Sequence, residues 1–233
     1  RTLSEGRRDT GARLKRLRTH PGFRQLTLKY YQMNTKLLLL DMDGTLTPVK
    51  SPWQYVHEEI GYWEQDGEPL LKSYLAGQIS YEDFCILDAK SWSDRGYSLD
   101  DINQLLDQIP LPDQTFEFLA QARDFAKIAI ISTGFTRTAR RIMARLGMDS
   151  ERFWIAANSL EETEGTIKPL IHVVDRPGEN GKAWWSRRFI ARASVDPASV
   201  LAVGDSDSDI PMFREAGTFV RVNGPSDLAE IDL

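Results

Sequence analysis

The sequence predicts an α/β fold, a doubly wound and mainly parallel sheet that carries an inserted helical domain. Two observations lead to this prediction. Short apolar runs typical of buried strands alternate with helical patterns along most of the chain. One long stretch after the first run contains no strong strand pattern. Strands that alternate with helices indicate βαβ units, and such units build a parallel sheet.

The individual elements follow from these patterns. Strands are predicted at 37–40, 127–132, 152–157, 199–204 and 218–222. Helices are predicted at 115–125, 136–147, 181–193 and 207–217. The first strand consists of four leucines, so both of its faces are apolar, as expected of an inner strand in a Rossmann-like parallel sheet.

The stretch from 48 to 112 is rich in aromatic residues and in helical patterns, and it is far longer than a crossover requires. We interpret it as a small helical domain inserted after the first strand, with prolines near both ends. The predicted division of the chain is a flexible basic extension at 1–32, a core domain at 33–47 and 113–233, and the helical domain at 48–112.

Composition is that of a globular protein of 233 residues with a net charge of −5. No run approaches the length of a membrane span, and the single cysteine, Cys85, predicts a reducing compartment, the cytoplasm. Residues 1–32 hold nine Lys or Arg and two acidic residues, a net +7 that leaves −12 on the rest. The acidic body argues against nucleic acid as the principal partner. The sequence leaves the oligomeric state, monomer or homodimer, open.

Three predicted strands end in polar residues that packing does not require. Because the carboxyl ends of parallel strands form the ligand-binding edge of such a sheet, these side chains are expected to converge. Lys182, at the start of a predicted helix, is expected to reach the same edge. The strand-end residues are Asp41 and Asp43, then Ser132, Thr133 and Gly134, and finally the run from Gly204 to Asp209.

These residue types indicate phosphoryl transfer. Several carboxylates in one pocket repel one another unless they share a hard cation, and Mg²⁺ prefers carboxylates together with phosphate oxygens. Ser132 and the amides around Thr133 and Gly134 precede a helix, a suitable anion site, and Lys182 adds a positive charge. Asp41 is the predicted nucleophile. Asp43, on the same side of the strand, is the predicted acid/base.

The sequence argues against a calcium loop and against Lys168 as the phosphate-binding lysine. A calcium loop that starts at Asp41 would need Gly at its sixth position and an acid at its twelfth, where the chain has Leu46 and Pro52. Lys168 competes with Lys182 for the phosphate role, but a lysine before proline in an expected turn favours a solvated position.

With these motifs in their order, the sequence resembles the phosphatases of the haloacid dehalogenase (HAD) superfamily, in particular the phosphoserine-phosphatase-like branch of subfamily I with a helical cap. The matching segments are LLLLDMDGTLT, IAIISTG, NGK and VLAVGDSDSDIPMF. The resemblance implies an aspartyl-phosphate on Asp41 and Mg²⁺ as cofactor. The implied Mg²⁺ ligands are Asp41, Asp43 through its backbone carbonyl, Asp205 and Asp209. It implies further that Ser132 and Lys182 hold the substrate phosphate.

Two positions depart from that branch. A substrate-binding Glu is replaced by Lys50, and the Arg that grips the substrate carboxylate would fall near Asp88, although a shift by one helical turn would bring Arg95 there. The cap aromatic of the branch corresponds to Tyr81 or Phe84. These changes predict poor use of phosphoserine.

The predicted function is hydrolysis of a small phosphorylated metabolite by a Mg²⁺-dependent phosphomonoesterase. Alternatives are a phosphoserine phosphatase proper, a phosphotransferase or mutase on the same core, and a non-enzymatic module that binds nucleic acid through residues 1–32.

Overall fold

The computed structural model describes residues 35–231 and 233. The predicted basic extension at 1–32 and the expected domain start at Met33 lie outside the described residues. Among the described helices, none is long and apolar enough to cross a bilayer.

A six-stranded sheet forms the centre of the structure, in the order β4-β3-β2-β1-β5-β6. The strands are β1 (Leu37–Leu40), β2 (Lys127–Phe135), β3 (Phe153–Thr163), β4 (Thr166–Leu170), β5 (Val200–Gly204) and β6 (Thr218–Arg221). All pairs are parallel except β3 with β4. The predicted α/β class and mainly parallel sheet are confirmed.

Helices lie between the strands. They are α1 (Pro52–Glu59), α2 (Glu68–Leu75), α3 (Tyr81–Asp94), α4 (Leu99–Gln108), α5 (Asp113–Arg123), α6 (Thr136–Leu146), α7 (Lys182–Ala193) and α8 (Ile210–Phe213). A π-helical turn occupies Trp63–Gly67, and 3-10 turns occupy Pro197–Ser199, Asp207–Asp209 and Pro225–Glu230. The helix predicted at 207–217 is therefore a 3-10 turn followed by the short α8.

Strand β1 lies in the middle of the sheet because its four leucines are fully buried on both faces. Leu37 pairs with Lys127 of β2 on one side and with Val200 of β5 on the other. After β1 the chain builds β2 and β3 on one side, and only later returns to add β5 and β6 on the other. The carboxyl end of β1 therefore lies at the switch point of the sheet, where such folds bind ligands.

Strand β4 was not predicted. It forms a hairpin with β3 through Glu164 and Gly165, both with positive φ (53° and 73°), as a tight two-residue turn requires. Lys168, expected in a turn, lies exposed on this strand. The following Pro169 is tolerated because β4 is at the edge of the sheet.

The helices α1 to α4, with their connections, form the unit that we call the cap. Trp53, Phe84 and Trp92 pack in its centre, and Cys85 is fully buried there. The same hydrophobic cluster includes Phe135, Ile167 and Val174, which follow or belong to the sheet. The cap is thus packed on the β3–β4 hairpin, and its division from the core as a separate domain stays a prediction.

Capping residues explain where the cap helices begin. Ser80 and Asp83 form a reciprocal capping box at the start of α3, and Ser98 and Asp101 form the same box at α4. Each box satisfies backbone N–H groups that would otherwise have no partner in the first turn.

Candidate active site

The residues after β1 carry two buried carboxylates. Asp41 and Asp43 are only 4% and 8% exposed, although both are acidic side chains. Met42, between them, is fully buried in the hydrophobic core, as the alternation of side chains along an extended segment requires. Asp41 and Asp43 therefore lie on the same side of the chain, facing away from the core.

Lys182 joins the carboxylates that come from two different strand ends. Its Nζ lies 2.7 Å from Asp41 Oδ1 and 2.6 Å from Asp209 Oδ1. All three side chains are buried. Of the two candidate lysines, the structure brings Lys182 into the pocket and leaves Lys168 exposed on β4.

Ser132, on β2, contacts the second carboxylate. Its Oγ donates to Asp43 Oδ2 at 2.5 Å, and it accepts from the Gly134 amide at 2.8 Å. Asp43 Oδ1 is buried and has no hydrogen-bond partner. Because a buried carboxylate oxygen without a partner is costly, this atom is available to a substrate or a water molecule.

Glycines allow the acids to come this close to the backbone. A Cβ at Gly44 would lie 2.6 Å from Asp205 Oδ2, one at Gly134 would lie 2.1 Å from Asp43 Oδ2, and one at Gly204 would lie 2.4 Å from Asp209 Cγ. At Gly44 the φ of 80° also favours glycine. The three strand ends thus pack directly on the carboxylates.

Three of the acids can share one ion. Asp41, Asp205 and Asp209 each place a carboxylate oxygen within 4.8 Å of the others. A set of carboxylate oxygens suits a hard cation such as Mg²⁺, and the partial exposure of Asp205 leaves room for water and phosphate ligands. The donor set therefore fits the implied metal. The side chain of Asp43 is outside this cluster, and its part in metal binding through the backbone carbonyl stays a prediction.

Burial dominates the electrostatics of the pocket. It raises the pKa of Asp43 to about 7, although the hydrogen bond from Ser132 and the charge of Lys182 lower it. Burial also raises the pKa of Asp41, against the effect of Lys182. Burial alone would lower the pKa of Lys182, but Asp41 and Asp209 outweigh it and keep the ammonium protonated. The buried acids Asp41 and Asp209 thus share the protonated Lys182.

The predicted site residues do converge, with one difference in detail. Thr133 turns its carbonyl oxygen away from the carboxylates and towards the cap, where it accepts from Trp53 Nε1 and Tyr81 OH. Asn158, which is not among the predicted site residues, also donates to this carbonyl. The sequence does contain a signal for Asn158. Like other site residues, it is a polar residue at the end of a predicted strand, here the one at 152–157.

A family model described as haloacid dehalogenase-like hydrolase matches residues 38–214, which is most of the chain. The chain belongs to this family.

Curated HAD relatives are named phosphoserine phosphatase. The protein of Archaeoglobus fulgidus is 24% identical over 97% of this chain and 65% of its own length. That of Idiomarina loihiensis is 27% identical over 84% of this chain and 85% of its own. The match to the Streptomyces coelicolor protein, at 33% identity, covers 42% of this chain and only 22% of that protein.

Solved structures show the same fold. A substrate-bound phosphoserine phosphatase complex aligns with a TM-score of 0.64 at 20% identity, over 84% of this chain and 91% of that one. A phospho-aspartyl intermediate analogue of phosphoserine phosphatase aligns with a TM-score of 0.61 at 21% identity, over 84% and 90%. The sheet and the cap of this HAD chain thus belong to a known architecture.

Proposed function

We propose that this HAD protein is a Mg²⁺-dependent phosphomonoesterase that hydrolyses a small phosphorylated metabolite through an aspartyl-phosphate. The observation that supports it most is the pair Asp41 and Asp43, both buried, with Lys182 on the first and Ser132 on the second. Family membership supports the hydrolase class. The buried free thiol of Cys85 supports a reducing location such as the cytoplasm.

In the first half-reaction, a carboxylate oxygen of Asp41 attacks phosphorus, and the bond from phosphorus to the leaving oxygen breaks. Protonated Asp43 gives its proton to that oxygen. Lys182 holds the Asp41 carboxylate in place and supplies positive charge for the phosphoryl oxygens.

In the second half-reaction, the Asp43 carboxylate takes a proton from water, whose oxygen attacks phosphorus. The bond from phosphorus to Asp41 breaks, which restores the Asp41 carboxylate and releases orthophosphate. A pKa of about 7 suits Asp43 for both proton transfers near neutral pH. Asp41, Asp205 and Asp209, with the Asp43 carbonyl, would hold Mg²⁺, which supplies charge neutralisation for the phosphoryl group.

Removal of divalent metal is expected to abolish hydrolysis of an aryl phosphate, because the three clustered carboxylates would repel the substrate phosphate. Added Mg²⁺ should restore the rate. Ca²⁺ should inhibit, since its longer bonds and higher coordination number change the geometry. Assays after chelation and metal addition measure this, and full turnover in metal-free buffer would contradict the proposal.

The substrate class depends on the cap and its linkers. The names of the relatives favour phosphoserine as a second candidate. Lys50 opposes it. Burial and the charge of Asp209 raise the pKa of the Asp205 carboxyl, and the exposed Lys50 lies close enough to offset part of this rise. A cation at the mouth of the pocket disfavours a substrate with an ammonium group.

The expectation for Asp88 was wrong. Its carboxylate is 1% exposed and lies 2.9 Å from His57 Nε2 inside the cap, so it does not face a substrate. A buried acid needs a polar partner, and for Asp88 that partner is the buried His57, 31 residues away in sequence. The role of Asp88 is therefore structural. Arg95 is also engaged, since it donates to both carboxylate oxygens of Asp66 at 2.9 and 3.0 Å.

We expect phosphoserine to be used less well than glycerol phosphate or a sugar phosphate, by roughly tenfold in kcat/KM for one like-charge contact of about 1.4 kcal/mol. A side-by-side substrate panel measures this. The variant Lys50→Gln should raise the ratio of phosphoserine to glycerol phosphate kcat/KM, and this ratio cancels any effect on the metal site. If phosphoserine is the best substrate and the ratio is unchanged in Lys50→Gln, Lys50 does not select the substrate.

A further inference from the structure

A groove lies between α4 and α6, beside β3. Its volume is about 500 Å³, which is in the range of sites for small ligands. None of the proposed catalytic, phosphate-binding or metal-binding residues is among the residues that line it. The groove is therefore a cavity outside the candidate active site.

Arginines dominate the walls of this groove. Arg137, Arg140 and Arg141 are three and four residues apart on α6, so they share one face of that helix. Asp107 of α4 is the only acid among the described lining residues, and Asp100 lies near Arg137 without lining the groove. Three guanidinium groups against one carboxylate leave the groove with a net charge of +2, although the chain as a whole carries −5.

Two of the arginines are held in place by the end of α4. Arg137 Nε donates to Asp107 Oδ1 at 2.8 Å, and Arg141 Nη1 donates to the carbonyl oxygens of Leu106 and Ile109, both at 3.1 Å. These bonds do not use Nη1 of Arg137 or Nη2 of Arg141, so both groups can still donate to a ligand.

Arg140 differs from its two neighbours. It is exposed, and no described residue forms an ion pair with it, while Arg137 and Arg141 share Asp107. Its guanidinium therefore contributes a full positive charge and a fork of N–H donors to the groove. Guanidinium groups bind phosphate through paired hydrogen bonds, which fixes both position and orientation of the anion.

We propose that this groove is a second binding site, separate from the candidate active site, and that its ligand is a small phosphate monoester. The charge of a phosphate monoester is close to −2 at neutral pH and so matches the groove. The half-buried side chains of Asn103 and Ser159 can hydrogen-bond hydroxyl groups of the ligand, and Leu160 offers an apolar contact.

Arg140→Gln is the variant that tests the groove, because Arg137 and Arg141 also bind α4 and their replacement would disturb the fold. The matched control is Arg214→Gln, which makes the same charge change at another exposed arginine of the described chain, outside the groove. The probe is the phosphonate analogue of glycerol phosphate, whose P–C bond cannot be hydrolysed.

Calorimetry on the full chain is performed after chelation of metal and again with Mg²⁺. Without metal, the clustered carboxylates of the active site repel the probe, so the one molecule expected per chain reports the groove. With Mg²⁺, a second molecule should bind. Because hydrogen bonds to charged groups are strong, Arg140→Gln should weaken binding to the metal-free chain at least roughly tenfold. Arg214→Gln should stay within about twofold, and both variants should keep their hydrolysis of an aryl phosphate.

A metal-free wild-type chain that does not bind the probe would overturn the inference. Unchanged affinity in Arg140→Gln would do the same, and so would an equal loss in both variants, which would indicate only the general charge of the surface. Succinate that binds more tightly than the phosphonate would make the groove a carboxylate site instead. A wild-type chain that binds the probe without metal but does not hydrolyse an aryl phosphate with Mg²⁺ would overturn the proposed function and leave the groove site standing.

Discussion

Replacement of Asp41 by asparagine is expected to lower phosphatase turnover by several orders of magnitude while the fold is retained. The amide is a poor nucleophile, and one ligand of the proposed metal cluster becomes neutral. The structure should tolerate the change because Lys182 keeps Asp209 as a partner at 2.6 Å. Steady-state kinetics and thermal unfolding measure the two effects.

Asp207→Asn is the matched control for this variant. It removes the same charge from the same part of the molecule, but Asp207 is 81% exposed and pairs with Arg221 on the surface. Its turnover should stay close to that of the wild type. Turnover of Asp41→Asn within tenfold of the wild type, with metal still bound, would refute Asp41 as the nucleophile.

Replacement of Asp43 by asparagine is expected to separate the two half-reactions. When the substrate is an aryl phosphate with an acidic phenol, the phenolate leaves without proton donation. Asp41 can therefore still be phosphorylated. Water activation then lacks its base, and steady-state turnover should fall by roughly 10²- to 10⁴-fold. Rapid-mixing measurements should show one equivalent of phenolate released in a burst, followed by slow turnover.

The burst distinguishes the two acids. Asp41→Asn should show no burst, since it cannot form the covalent intermediate. For Asp43→Asn, an alkyl phosphate should show neither a burst nor appreciable turnover, because its leaving oxygen needs the proton. Equal losses on aryl and alkyl phosphates without a burst would contradict the acid/base role of Asp43.

The sequence predicts the site better than it predicts the cap. Asp41 and Asp205 follow strands with clear apolar patterns, Ser132 is the last residue of another such pattern, and parallel strands must bring their carboxyl ends to one edge. No such rule places Asp88, because its partner His57 is distant in sequence and both are buried among apolar side chains. The family resemblance gave Asp88 a substrate-facing position that its hydrogen bond excludes.

The hairpin β3–β4 shows a second limit. Its turn residues, Glu164 and Gly165, are a weak turn signal, and Pro169 argues against a strand in the interior of a sheet. Tertiary contacts hold this edge strand in place: Ile167 packs into the cap cluster, and its amide donates to Ser93 Oγ at 2.8 Å. Asn158 shows the same limit, because its partners Tyr81 and Thr133 are distant in sequence and only the fold brings them together.

The close contacts of Gly44, Gly134 and Gly204 with the acids limit where this protein can accept substitutions. No larger side chain fits at these strand ends without moving a carboxylate, because each added Cβ would lie within 2.6 Å of a carboxylate atom. New substrate contacts therefore cannot be introduced at these three positions. The cap helices and the linker that carries Lys50 are free of this constraint, so selectivity can change there without disturbing the carboxylates.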